Sequence, residues 1–114
     1  MRDKVILIAG EGLGRGDDGL GHVILSNFLR LLAQRADKPK AVICMNGGVR
    51  LVTTASGAFE AHEHLRELAV QGVPVYACKT CLDHFGLLDK VVVGQVGGMP
   101  QFVELMAANQ VITL

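Results

Sequence analysis

Val5-Ile6-Leu7-Ile8-Ala9 runs without a polar break into Gly10-Glu11-Gly12-Leu13-Gly14-Arg15-Gly16-Asp17-Asp18. Five apolar residues in succession, three of them β-branched, suit a strand covered on both faces; a half-solvated strand would alternate. The glycines that follow open a turn. Asp17 and Asp18 then stand where an N-cap and the favourable first-turn charge of a helix belong. Leu20, Ile24, Phe28 and Leu31 recur at helical spacing, with Val23 and Leu32 widening the stripe. They predict a helix over about Asp18–Ala36 with that stripe inward. Buried strand, glycine turn and helix, in that order, make the first half of a βαβ unit and so imply a parallel sheet.

The rest of the chain repeats the pattern. Pro39 closes the first unit. Ala41–Met45 reads as a second strand, ending at the turn Asn46-Gly47-Gly48. Ser56 is expected to cap a second helix reaching about Gln71, with Phe59, Leu65, Leu68 and Ala69 inward and Gly72 just past its end. Val73–Ala77 is the third strand, with Pro74 near its start, where proline is tolerated. A short helical turn covers Leu82–Leu88, Val91–Val93 forms a fourth strand, Pro100 opens a helix through Ala108, and Val111–Leu114 is the last strand. The order predicts an α/β, flavodoxin-like three-layer sandwich around an open, mostly parallel five-stranded sheet with right-handed crossovers. The absence of a linker, repeat or low-complexity run predicts a single domain over residues 1–114.

Eleven basic and eleven acidic residues cancel, and only 4% of the chain is aromatic. The core is therefore aliphatic. With no basic stripe the chain lacks the electrostatic footprint of a nucleic-acid binder and the polybasic cluster that holds a protein on anionic lipid. No apolar run reaches the roughly 18–20 residues that span a bilayer. Val5–Ile8 is too short for a signal-peptide core. The chain reads as cytoplasmic, where its three cysteines are core filler or chemistry and not structural disulfides.

In a parallel sheet, ligands bind at the carboxyl ends of the strands. Three loops meet there: Gly10–Asp18, Asn46–Thr54 and Cys78–Phe85. The last holds Cys78-Lys79-Thr80-Cys81. Thr80-Cys81-Leu82-Asp83 reads as a capping-box-like start, with Thr80 the N-cap and Cys81 the first helical residue. The helix start, the Lys79 cation and His84 one turn on are each expected to lower a thiol pKa. That points to a nucleophilic or persulfide-carrying cysteine. Cys44, in mid-strand, reads as packing. A dithiol redox motif of the thioredoxin type also needs an antiparallel strand pair and a facing proline, and the sequence offers neither. Zinc needs about four ligands, and Cys78, Cys81 and His84 supply three. No metal and no cofactor is therefore expected.

The glycine loop begins like a dinucleotide fingerprint, but its third glycine falls one place early, and no Lys-Ser/Thr follows to make a phosphate loop. Gly12 and Gly14 let backbone amides approach an anion, and Arg15 is the side chain placed to hold one over the cysteines. Asn46 ends its strand beside the same edge, where a turn role competes with ligand binding. His62 and His64 flank Glu63 on different sides of their helix and read as solvated surface.

At these residues a family comes into view. Val73-Pro74-Val75-Tyr76-Ala77-Cys78-Lys79-Thr80-Cys81 resembles the equivalent segment of the DsrE/DsrF-like family, notably its YchN group. Gly14-Arg15-Gly16-Asp17-Asp18-Gly19-Leu20-Gly21, Asn46-Gly47-Gly48-Val49 and Cys78-x-x-Cys81-Leu82-Asp83 together resemble the C-terminal half of YedF-type selenium-metabolism proteins, with Lys79 where that group usually has Gly. The resemblance implies a flavodoxin-like sheet, a homo-oligomer (trimer or hexamer) and a sulfurtransferase-like role in sulfur relay with a donor or acceptor protein as partner. It places the sulfur carrier at Cys78 and the second cysteine at Cys81, which could resolve a persulfide as a disulfide, whereas the cap position alone favours Cys81. Two other readings stand beside it: a non-catalytic small-molecule or anion-binding oligomeric module using the Gly10–Asp18 loop, and a structural subunit without chemistry.

Overall fold

A computed structural model describes residues 1–114. Strands β1 (Lys4–Ile8), β2 (Ala41–Cys44), β3 (Val75–Cys78), β4 (Gln95–Gly97) and β5 (Gln110–Thr113) form one open sheet in the order β4-β3-β2-β1-β5, with every neighbouring pair parallel. Helices α1 (Asp18–Gln34), α2 (Phe59–Val70), α3 (Lys79–Phe85) and α4 (Met99–Ala108) connect them, with 3₁₀ segments at Asn46–Val52 and Leu88–Lys90. The flavodoxin-like three-layer sandwich expected from the sequence is the architecture found.

The strand order dictates the layers. The chain steps from β1 to β2, β3 and β4 in one direction, then returns past β1 to β5. Right-handed crossovers put the helices of the forward steps on one face and that of the return step on the other. Accordingly α1 packs against α2. On the opposite face Phe102 of α4 lies against Tyr76 of β3, ring centroids 6.2 Å apart. Phe102 is the one fully buried side chain of α4, and burying it contributes about 1.5–3 kcal/mol. Val5, Ile6, Ile8, Val42, Ile43 and Cys44, on the inner strands β1 and β2, are sealed from solvent. Their continuous apolar sequence reflects cover on both faces.

Several local expectations are corrected. Asp17 does cap α1, accepting a hydrogen bond from the Leu20 N–H at 2.7 Å, but the helix buries Gly21, Leu25, Ser26, Leu29, Leu32 and Ala33, and leaves Leu20, Val23, Ile24 and Leu31 exposed. The reason lies at Gly21. The glycine loop presses on it so closely that a Cβ on Gly12 would sit 3.0 Å from the Gly21 carbonyl carbon, and the Leu13 N–H bonds the Gly21 carbonyl at 3.0 Å. The face that carries Gly21 must therefore point toward the glycine loop and the core.

In α2 the buried residues are Ala61, His62, Leu65 and Leu68, while Phe59 is 74% exposed. His62 is thus core, not surface. Its Nδ1 lies 2.6 Å from the Leu51 carbonyl, which only accepts, so Nδ1 carries the hydrogen and Nε2 accepts from Arg66 at 3.2 Å. Ser56 does not cap α2. Ala58 holds the cap position without a side-chain bond, and the neighbouring Gly57 N–H is taken by Glu11 Oε1 at 2.8 Å. Val91–Val93 is not a strand of the sheet: Val91 makes an isolated antiparallel bridge to Thr53, and the N–H groups of Val92 and Val93 both reach the Val52 carbonyl. The fourth strand falls on Gln95–Gly97 instead. Helix α4 opens at Met99, with Pro100 in its first turn.

Candidate functional site

The site is assembled at the carboxyl edge from the ends of β1, β2 and β3. Strand β3 turns into α3 without a loop, so Cys78, with φ −66° and ψ 121°, is itself the N-cap residue. Thr80 therefore does not cap the helix, and Cys81 is its third residue. Leu82, fully buried, anchors the helix against the core. Cys78 is only 3% exposed. Cys81 is half-buried and opens on a depression of about 470 Å³ lined also by Asn46, Thr80, His84 and Phe85.

Asn46 is the only non-glycine residue with a positive φ, 50°. Asparagine tolerates that region better than most residues, and the twist aims its N–H at Cys81 Sγ, 3.1 Å away. Gly47 and Gly48 bring this segment hard against β1. A Cβ on Gly48 would fall 2.3 Å from the Ile8 carbonyl oxygen, and one on Gly47 would fall 3.8 Å from the Gly10 Cα. The three loops do share one edge, in two separate hollows. Gly10, Glu11, Gly12, Gly14, Asp18 and His22 line the second, of about 300 Å³.

The charges are arranged differently from the sequence expectation. Lys79 turns to Asp83, one turn along α3, at 3.1 Å. His84 stands edge-on to Phe85, centroids 5.1 Å apart. Neither side chain lowers the Cys81 pKa. Burial holds that thiol above the ordinary range, the Asn46 N–H opposes the rise, and the neighbouring Cys78 thiol adds to it. The expectation of a cation-activated thiol is thus replaced by a partly buried thiol with one backbone donor. Arg15 is exposed on the glycine loop and lines neither hollow. The cation that does lie beside the site is Arg50, missed in the sequence. Its guanidinium stacks on Phe85, 4.6 Å from the ring centroid, and only the tertiary packing of the 3₁₀ segment on α3 reveals it.

The glycine loop is closed on itself. Glu11 caps Gly57, the Leu13 amide serves Gly21, and Gly14, at φ 80°, supplies the turn. Two acidic side chains, Glu11 and Asp18, face its hollow. No three His, Cys, Asp or Glu side chains gather as a metal site, and no helix is long and apolar enough to cross a membrane.

The profile of the DsrE/DsrF-like family matches residues 25–114. The chain belongs to the DsrE/DsrF-like family. The match takes in the cysteine segment and Asn46-Gly47-Gly48, and begins within α1, past the glycine loop. This DsrE/DsrF-like chain also superposes on the crystal structure of the ychN protein from E. coli over 100% of both chains, with a TM-score of 0.70 and 18% sequence identity, a likeness of fold. No curated protein sequence matches it. The family as a whole is generally associated with sulfur relay.

Proposed function

We propose that this DsrE/DsrF-like protein is a sulfur-relay protein that takes sulfane sulfur as a persulfide on the Cys78–Cys81 pair and passes it to a cysteine of a partner protein. The observation that carries the reading is the exposure of Cys81 Sγ to a hollow at the carboxyl edge with the Asn46 N–H upon it. The resemblance names Cys78 as the carrier. Exposure favours Cys81 as the thiol that meets the donor, with Cys78 behind it. The Cys81 thiolate attacks the donor's outer sulfur and the donor thiolate leaves. An acceptor thiolate then takes that sulfur, and Cys81 departs as an anion that the Asn46 N–H stabilises. The same steps serve selenium, which the likeness to YedF-type proteins supports as a second cargo. Arg50, and Arg15 if a partner brings it near, are the cations available for an anionic donor.

The test is mass spectrometry of the reduced chain after incubation with cysteine persulfide. A peptide containing Cys81 is expected to gain one sulfur atom or to carry the disulfide that follows from that gain, and Cys81→Ser to abolish both. If no cysteine of the wild-type chain takes up sulfur or is oxidised, the relay reading fails.

Within the same reading the chain works as a homo-oligomer, trimer or hexamer. Leu20, Val23 and Leu31 on α1 and, on the other face of the sheet, Met99 and Val103 on α4 are exposed in a single copy, and exposed apolar side chains on a helix are material for contact faces. Light scattering at micromolar concentration is expected to give a trimer or hexamer mass, and a monomer mass overturns the expectation.

A further inference from the structure

The geometry points to a second activity of the cysteine pair: Cys78 resolves a persulfide on Cys81, releasing sulfide and leaving a Cys78–Cys81 disulfide. This rests on the relay reading above and extends it, since the pair then reduces sulfane sulfur as well as carrying it.

Three observations sort the two thiols into roles. Cys78 is the N-cap residue of α3 and Cys81 its third residue. An N-cap side chain points at the third residue of its helix, which is why a serine there bonds that residue's N–H. Cys78 makes no such bond to the backbone; its thiol lies instead within hydrogen-bond reach of the Cys81 thiol. Side chains three apart on a helix start with Cβ atoms about 5–6 Å apart, and Cys78, whose dihedrals lie outside the helix, can close to the roughly 4 Å a disulfide needs. The two thiols are already neighbours, close enough that Cys78 raises the pKa of Cys81.

The second observation is access. Cys78 is 3% exposed and absent from the lining of the hollow, whereas Cys81 lines it. A donor reaches Cys81 and is kept from Cys78, yet a persulfide on Cys81 sits against Cys78. The third is exclusivity. Cys44, the remaining thiol, is wholly buried in mid-sheet, paired in register with Ala77, so its side chain lies on the face of the sheet opposite to that of Cys78. No other internal thiol competes.

The chemistry balances. Donor persulfide and the Cys81 thiolate give the Cys81 persulfide and the donor thiolate. The Cys78 thiolate then attacks Cys81 Sγ, the bond between Sγ and the outer sulfur breaks, and hydrosulfide leaves with that electron pair. It is a better leaving group than an alkyl thiolate, because leaving improves as the pKa of the departing thiol falls. The outer sulfur gains two electrons, the cysteine pair loses two, and the Cys78 proton goes to solvent. A dithiol reductant of the thioredoxin class restores the pair for the next round.

The experiment is a single turnover. The reduced full-length chain, freed of reductant and kept anaerobic, receives one equivalent of cysteine persulfide, and sulfide is measured alongside the mass of the Cys78–Cys81 peptide. The expected result is one sulfide per chain and a peptide lighter by two hydrogens. In Cys78→Ala the added sulfur is expected to stay on Cys81, with sulfide release at least about 100-fold slower, a conservative figure for losing an oriented intramolecular group. A wild-type chain that keeps its persulfide, without disulfide or sulfide, overturns the resolving activity and leaves the relay reading standing. A wild-type chain that gains neither sulfur nor disulfide overturns both. Should Cys78→Ala fail to fold, the wild-type masses decide the matter alone.

Discussion

Gly48→Ala is expected to cost about 3 kcal/mol or more, at or above the upper end for overpacking. The added Cβ would stand 2.3 Å from the Ile8 carbonyl oxygen and 2.9 Å from its carbon. Those atoms belong to β1, an inner strand whose position is fixed by β2 and β5 together. Neither side can yield by rotating a side chain. The 3₁₀ segment must lift instead, and with it the Asn46 N–H leaves Cys81. Gly14→Ala makes the informative comparison. Its φ of 80° disfavours alanine, but no atom lies within 4 Å of the added carbon, so its cost is the conformational one alone, about 1–2 kcal/mol. Urea unfolding of the two variants checks the contrast. Equal losses would mean that the approach of Gly48 to β1 is not tight.

The second large effect is alkaline. Burial pushes the Cys44 thiol up to about 12, from an ordinary 9.0. The folded chain therefore holds that proton where the unfolded chain has already released it. For an acid with a raised folded pKa, stability is full below the unfolded value and falls as pH climbs through the window from about 9 to about 12. At pH 10.5 the Cys44 contribution to that fall is about 2 kcal/mol. Cys44→Ala starts lower at pH 8 because it leaves a cavity, yet between pH 8 and 10.5 it should lose about 2 kcal/mol less than the wild-type chain. Parallel losses in the two proteins would place Cys44 in a more hydrated setting. Iodoacetamide labelling in the same samples should reach Cys81 in the folded state and Cys44 only on unfolding.

Much of this architecture could be read from the sequence, and the misses have physical causes. The inner strands announce themselves, because cover on both faces demands uninterrupted apolar runs such as Val5–Ile8. The edge strand β4 does not. Gln95 and Val96 are exposed, so nothing selects an apolar pattern there, while the apolar Val91–Val93 serves to fasten the 3₁₀ segment. Helix α1 is apolar around much of its girth. Periodicity then leaves the inward face undecided, and the signal that chooses it is the small pair Gly21 and Ser26. At the site, the positions of Cys78, Cys81 and Asn46 at strand ends follow from the alternation of elements. Their electrostatics do not, because Lys79 had two partners open to it, the thiols and Asp83, and only the helix places Asp83 one turn away.

The pairing of β1 with β5 joins Lys4 to Gln110 and Leu7 to Thr113. During synthesis the first strand of this sheet to emerge is thus the last to acquire its second neighbour, and the sheet cannot close until the residues of β5 are also available. Until then the face that α4 will cover is bare, and the edge of β1 offers unpaired amides to any passing strand. Such long-range closure is slow to find. The interval between the appearance of β1 and the arrival of β5 is the period in the life of this polypeptide when a chaperone has most to protect.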